Sequence, residues 1–258
     1  MNVDYSDVTE RPGLAISRIQ FARGIHRYRI AAQRASGRDV LEVACGSGQG
    51  LGILASTARS VVGGDYSESN LRLAQQHYAG RIPLVQLDAG RLPFRAGSFD
   101  LVVLLEAIYY LPDPSVFVAE ARRVLRRPGR IVISTVNCAW PDFGRSLHAS
   151  SYLDANQLRE LLSDGSWSVR IFGAFPEHGT VTGAIRSAIR RMAFRINVVP
   201  GSLRARALLK RLVYGPLIRQ PAELDAELSA DEPLAEIRPG IRDTVHSILY
   251  AVATDEPD

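Results

Sequence analysis

The chain has 258 residues, 46% hydrophobic and 22% charged. That is an ordinary globular composition, and it excludes a disordered chain, a collagen-like fibre and a disulfide scaffold. The 31 basic and 27 acidic side chains leave a net charge of +4, which as a total does not imply nucleic-acid binding. Cys45 and Cys138 alone cannot make a metal cluster, and nothing supports a disulfide between them. Met1 to Glu10 carries Asp4, Asp7 and Glu10, and no run approaches roughly 18 apolar residues. Neither a signal peptide nor a spanning helix is expected, and the expected compartment is the cytoplasm.

Before Asp39 the chain reads as helical from Ala15 to Ala35, a cap that packs on the sheet. From residue 39 to 174 apolar runs alternate with helical patterns. Asp39–Ala44 reads as a first strand, and Gly46–Thr57 as a glycine-rich turn entering a helix. Ser60–Asp65 is a second strand, followed by a helix capped by Ser67 and a third strand over Pro83–Asp88. Phe99–Leu105 is an unbroken apolar run, the pattern of a parallel strand buried on both faces. Asp113-Pro114 opens a helix that carries Phe117, Ala121, Val124 and Leu125 at helical spacing. Arg130–Val136 is a fifth strand, Asp154–Leu162 a helix opened by a capping box with Gln157, and Trp167–Ala174 a sixth strand. Val245–Thr254 is a long final strand. The alternation predicts an α/β, Rossmann-like doubly wound parallel sheet. The expected division is a helical cap over 1–38, a core over 39–174, a helical basic lid over 175–243, and the last core strand over 244–258.

The turn after the first strand runs Glu42-Val43-Ala44-Cys45-Gly46-Ser47-Gly48-Gln49-Gly50. Glycines let the backbone approach a ligand closely, and the following helix N-terminus offers free N–H groups. Leu51 spoils the third glycine of a dinucleotide fingerprint. Asp65 ends the second strand 19 residues after Gly46, where a carboxylate can accept from both hydroxyls of a ribose. Asp88 ends the third strand, placed for an exocyclic adenine amine, with the Ala89 N–H beside it for a ring nitrogen. Together they describe one adenosine lying across the carboxyl ends of three adjacent strands. Each residue alone has a plainer reading: a solvated charge, a helix-entry residue or a loop aspartate. Cys45 reads as a small packing residue rather than a nucleophile.

The stretches VLEVACGSGQG, VVGGDYS, LVQLDAGRLPF, SFDLVVLLEAIYYLPD and EARRVLRRPGRIVIST resemble the class I S-adenosylmethionine-dependent methyltransferases of the small-molecule, UbiE-like type. The resemblance covers roughly residues 39 to 136. It implies a seven-stranded sheet with an antiparallel last strand and S-adenosylmethionine as cofactor. It further implies a cofactor site made by Glu42, Ala44, Gly46, Ser47, Gly48, Asp65, Asp88 and Ala89, with Tyr66 stacked near the adenine and Glu106 bordering the methionine end. Arg130 stands where the family often has a glycine, at a position remote from the cofactor.

Methyl transfer to a hydroxyl gains from a general base. His148, in the loop after the fifth strand near Trp140, Asp142 and Tyr152, is the expected base, with His178 second. His26, His77 and His246 read as surface or packing residues, and Tyr109 and Tyr110 as orienting or core side chains. Leu105-Glu106-Ala107-Ile108 replaces the Asn/Asp-Pro-Pro-aromatic run of nucleic-acid amino-methyltransferases, so no nucleic-acid acceptor is expected. The expected acceptor is a small molecule, methylated on an oxygen of a saccharide or secondary metabolite. A non-catalytic cofactor-binding subunit or membrane-associated scaffold, and an RNA methyltransferase, are the alternatives. From Arg186 to Arg219 nine basic residues occur with no acidic one. This segment reads as a lid with a solvated basic face, or as a surface for anionic lipid or a phosphate-bearing substrate, which would place the chain beside a membrane.

Overall fold

The computed structural model describes residues 10–146, 149–164, 166–176, 216–228 and 232–256. Its main sheet is built from β2 (Asp39–Val43), β3 (Ser60–Asp65), β4 (Leu84–Gln86), β5 (Phe99–Leu105), β6 (Leu125–Val136), β7 (Ser168–Pro176), β9 (Ala235–Ile237) and β10 (His246–Thr254). Their order is β4-β3-β2-β5-β6-β10-β7-β9. The first five are parallel, and β10 runs antiparallel between β6 and β7. The expected seven strands and antiparallel last strand are present. The short β9 adds an eighth along the β7 edge, and it comes from the segment that the sequence assigned to the lid.

The apolar run of β5 is buried on both faces, with Leu101, Val102, Val103 and Leu104 each at 0% exposure. Val102 and Leu104 join a core layer with α4 (Pro114–Val124) and α5 (Ala155–Leu162), through Phe117, Ala121 and Leu158. Leu101 and Val103 face the opposite layer, made by α1 (Arg18–Ala35), α2 (Leu51–Ala55) and α3 (Glu68–Tyr78). The caps are the ones that the sequence indicated. Asp113 accepts from the Ser115 N–H (2.9 Å), and Asp154 and Gln157 form a capping box. Arg130 forms an ion pair with Glu256 at the far end of the sheet.

The N-terminal segment differs from its expected form. Helix α1 begins at Arg18, because Ser17 and Gln20 close a capping box there. Ala15–Ser17 is instead a strand, β1, paired antiparallel with β8 (Leu217–Arg219). The described parts of the segment assigned to a helical lid contain two short strands and no α-helix. The rest of the basic run, with its helical periodicity, lies outside the described residues, as do His148 and His178. Among the described residues no helix is long and apolar enough to cross a membrane.

Chain order leaves β2 toward β3 and β4, then returns to β5 on its other side. The carboxyl ends of β2 and β5 therefore flank a topological switch point, where open α/β sheets form a crevice.

Candidate active site

A cavity of about 480 Å³ occupies that crevice. Its wall includes Ala44, Gly46 and Ser47 after β2, Asp65 and Tyr66 after β3, Asp88 and Ala89 after β4, and Glu106 after β5. Eight of the ten expected cofactor residues thus meet at one cavity. Glu42 and Gly48 lie behind the wall and shape it.

Glu42 is an acidic residue inside a buried strand, 1% exposed. The Tyr28 hydroxyl of α1 donates to its Oε1 at 2.7 Å, and its Oε2 has no hydrogen-bond partner among the described residues. Burial pushes its carboxyl up to about 7, against the Tyr28 hydrogen bond and the nearby Arg27 guanidinium. Gly48 has φ +76°, and a Cβ there would lie 2.9 Å from the Ala74 methyl. The turn can therefore lie flat on α3 only as glycine. At Gly50 a Cβ would fall 2.1 Å from the Tyr28 ring. The glycines of this turn serve close packing as much as ligand approach.

Asp65 joins two elements. Its Oδ2 accepts the Gly46 N–H at 2.7 Å and its Oδ1 the Ser67 N–H at 2.8 Å, so one carboxylate braces the glycine turn and the start of α3. Burial raises its pKa, and the Ser67 and Gly46 N–H groups oppose the rise. The Asn70 side chain also hydrogen-bonds to this carboxylate. Asp88 is exposed, and its Oδ1 accepts the Gly90 N–H at 2.8 Å, a local turn that fixes its direction at the cavity rim. Tyr66, 46% exposed, lines the same cavity.

Two non-glycine residues of the wall hold left-handed backbone, Ala44 at φ +60° and Glu106 at φ +54°. Such positions cost on the order of 1–3 kcal/mol and collect at functional sites. The Glu106 carboxyl accepts long bonds from Tyr109 Oη (3.3 Å) and Ser134 Oγ (3.4 Å), and burial raises its pKa. Tyr109 lines the cavity and stacks on Tyr152, with ring centroids 5.2 Å apart. The loop after β6 is thereby held against the cavity wall, as the sequence placed it.

The histidines expected to be structural are so. His26 is buried, with Nε2 2.9 Å from the Glu232 carbonyl and Nδ1 2.7 Å from Tyr250 Oη. The carbonyl can only accept, so Nε2 donates and Nδ1 accepts from the tyrosine. His77 meets Glu223 at 2.6 Å, and His246 meets Asp243 at 3.0 Å. None of the three lines the cavity. Both cysteines are free thiols, with Cys45 buried in the core. Among the described residues no cluster of His, Cys, Asp and Glu could hold a metal ion.

Comparison with known proteins bears on what this crevice serves. Residues 41–133 match the family described as "Methyltransferase domain". A protein of Mycolicibacterium smegmatis, named a probable S-adenosylmethionine-dependent methyltransferase, is 37% identical over 61% of this chain and 63% of its own length. One of Mycobacterium tuberculosis with the same description is 35% identical over 65% of this chain and 62% of its own. The chain thus spans somewhat under two thirds of these relatives. A SAM-dependent methyltransferase from Thermotoga maritima superposes with a TM-score of 0.57 at 14% identity, covering 92% of this chain and 95% of its own, which shows a common fold. Residues 41–133 thus match a methyltransferase domain, on a fold shared with that protein.

The side chains of the cavity have the chemistry that S-adenosylmethionine would need. Asp65 and Asp88 offer acceptor groups for the hydroxyls and amine of an adenosine, and Glu42 Oε2, buried behind the wall, has no hydrogen-bond partner among the described residues. Sequence reasoning missed the residues that close the site from a distance. Tyr28, Arg27 and Glu10 reach the cavity from the N-terminal segment, Arg27 and Glu10 as an ion pair at 2.6 Å. Leu224, from the segment after β8, is also in the wall. Its N–H donates to the Gln49 carbonyl (2.7 Å), and Gln220 donates to Gln49 Oε1 (2.9 Å). The one available signal was helical spacing that put Arg27 and Tyr28 on the inward side of α1.

Proposed function

We propose that this chain moves the methyl group of S-adenosylmethionine to an oxygen of a small-molecule acceptor, such as a saccharide or a secondary metabolite. The observation that carries the reading is the polarity of the cavity. Asp65 and Asp88 stand with Tyr66 on the β3 and β4 side, and the half-buried Glu106 with Tyr109 on the β5 side. Asp65 would take the ribose hydroxyls, Asp88 and Ala89 the adenine edge, and Glu42 and Arg27 the amino and carboxyl groups of the methionine part. When bound, the cofactor supplies an electrophilic methyl on a sulfonium. The chain then has to aim the acceptor oxygen along the S–C axis and exclude water, positioning that can supply roughly 7–11 kcal/mol in favourable cases. Leu224 and the segment after β8 cover the glycine turn and serve that exclusion. The absence of an Asn/Asp-Pro-Pro-aromatic run at Leu105–Ile108 favours a small molecule over a nucleic-acid base.

Calorimetry with S-adenosylmethionine, then a methyl-labelled assay against a metabolite extract and total RNA, tests the reading. Label in small molecules is the expected result. Label in RNA would reverse the acceptor assignment, and binding without turnover would make the chain a non-catalytic subunit.

A further inference from the structure

Arg27 is the one cation in the described lining of the main cavity. It reaches the wall from α1, next to Tyr28, whose hydroxyl holds Glu42. Its Nη2 bonds the Glu10 carboxylate at 2.6 Å, and its Nε is buried with no hydrogen-bond partner among the described residues. Nε and Nη2 share one edge of the guanidinium, an edge that binds a carboxylate through two parallel hydrogen bonds. Glu10 therefore uses only half of that edge. Glu106 is the other carboxyl that feels the Arg27 charge, but it is held in place by Tyr109 and Ser134 and lies under the charge of Arg23 as well.

Glu10 is the more exposed member of the ion pair, at 33% against 16% for the Arg27 side chain. Its main chain is tied down. The Glu10 carbonyl accepts from Ser47 Oγ of the glycine turn at 3.2 Å. Three residues on, the Gly13 N–H donates to the Gln220 carbonyl at 2.8 Å, beside the β1–β8 pair. The Gln220 side-chain amide lies 3.4 Å from the same Glu10 oxygen that Arg27 holds. Glu10 is thus a carboxylate on a short tether at the cavity, with an amide and solvent within reach when it releases the arginine. A tethered group competes at a high effective concentration.

We propose that Glu10 is a built-in competitor for the carboxylate of the cofactor, and that cofactor and product enter and leave by exchange at Arg27. The proposal rests on the reading of the main cavity as the S-adenosylmethionine site. The methionine carboxylate takes both N–H groups of the Nε–Nη2 edge, and Glu10 turns to Gln220 and water. Arg27 keeps an anion before and after the exchange, so no unpaired charge is left in the wall. A ligand without a carboxylate finds the arginine already matched. Because Glu10 returns as the product leaves, it lowers the affinity for product and hastens its release.

Calorimetric titration with S-adenosylhomocysteine and with 5′-methylthioadenosine tests this. Both carry the adenosine and a thioether and have no net charge, but only the first brings the carboxylate. Glu10→Gln should tighten S-adenosylhomocysteine at least about threefold and leave 5′-methylthioadenosine within about twofold of the wild type. Arg27→Gln should weaken S-adenosylhomocysteine at least about tenfold and spare 5′-methylthioadenosine, whose retained binding also shows the variant to be folded. Arg27→Lys, which keeps the charge but not the edge, should recover part of the loss. In the double variant the effect of Glu10→Gln should vanish, since nothing remains to compete for. If Glu10 only braces the fold, Glu10→Gln weakens both ligands alike. That result, an unchanged affinity for S-adenosylhomocysteine in either single variant, or a Glu10 effect that survives in the double variant overturns the proposal. A wild type that binds neither ligand overturns instead the cofactor reading beneath it.

Discussion

Glu42 is a carboxyl group placed inside a strand that is otherwise apolar, and this makes its protonation a measurable part of the stability. It is 1% exposed, with one oxygen held by Tyr28 at 2.7 Å. Burial moves its pKa from the usual 4.5 to about 7. The unfolded chain releases this proton near its ordinary value, whereas the folded protein keeps it until about 7. Through that window the folded state binds more protons, so the contribution is fully present below the unfolded pKa and is lost as pH rises through the folded one. The interval is worth about 1.4 kcal/mol per pH unit, or about 3 kcal/mol in all. Glu42→Gln removes the titration and can keep the Tyr28 hydrogen bond through its amide oxygen. The variant should match the wild type near about pH 4 and exceed it by about 3 kcal/mol near about pH 8. Urea midpoints at the two pH values measure this. A stability difference that does not change between them would refute the claim that burial governs this carboxyl. Saturating S-adenosylmethionine should narrow the gap at the higher pH, since a cationic group beside the free oxygen favours the carboxylate.

Asp65→Asn should lower stability as well as cofactor affinity, because an amide offers one acceptor oxygen where Gly46 and Ser67 each donate to the carboxylate. Hydrogen bonds to a charged group are worth about 1.5–3 kcal/mol each, so a loss of about 2–4 kcal/mol is expected in urea, and an unchanged midpoint would show that the brace carries no weight. Gly50→Ala places a methyl 2.1 Å from the Tyr28 ring, which must then swing away from Glu42. A cost of about 1–3 kcal/mol is expected from thermal unfolding, and a near-native midpoint would mean that the ring is not seated as described.

The apolar run of β5, the capped helices α4 and α5, and the carboxylates Asp65 and Asp88 at strand ends were all legible in the chain. Each is signalled by neighbours within a few residues: an unbroken buried strand, a cap before a periodic helix, an acid where a strand stops. The glycine turn was equally plain, although its glycines answer partly to Ala74 and Tyr28 and not only to a ligand.

The sequence by itself therefore determined the parallel part of the sheet and the acidic residues at its carboxyl ends, because those derive from local periodicity and from the rule that such sheets bind at their carboxyl ends. Only the tertiary structure decided what closes the cavity. Arg27 and Glu10, Gln49 with Gln220, and Leu224 beside the glycine turn meet across long separations in sequence. The pairing of β1 with β8 and the added edge strand β9 are of the same kind. No periodicity marks such contacts, since each depends on a partner that folding alone brings near.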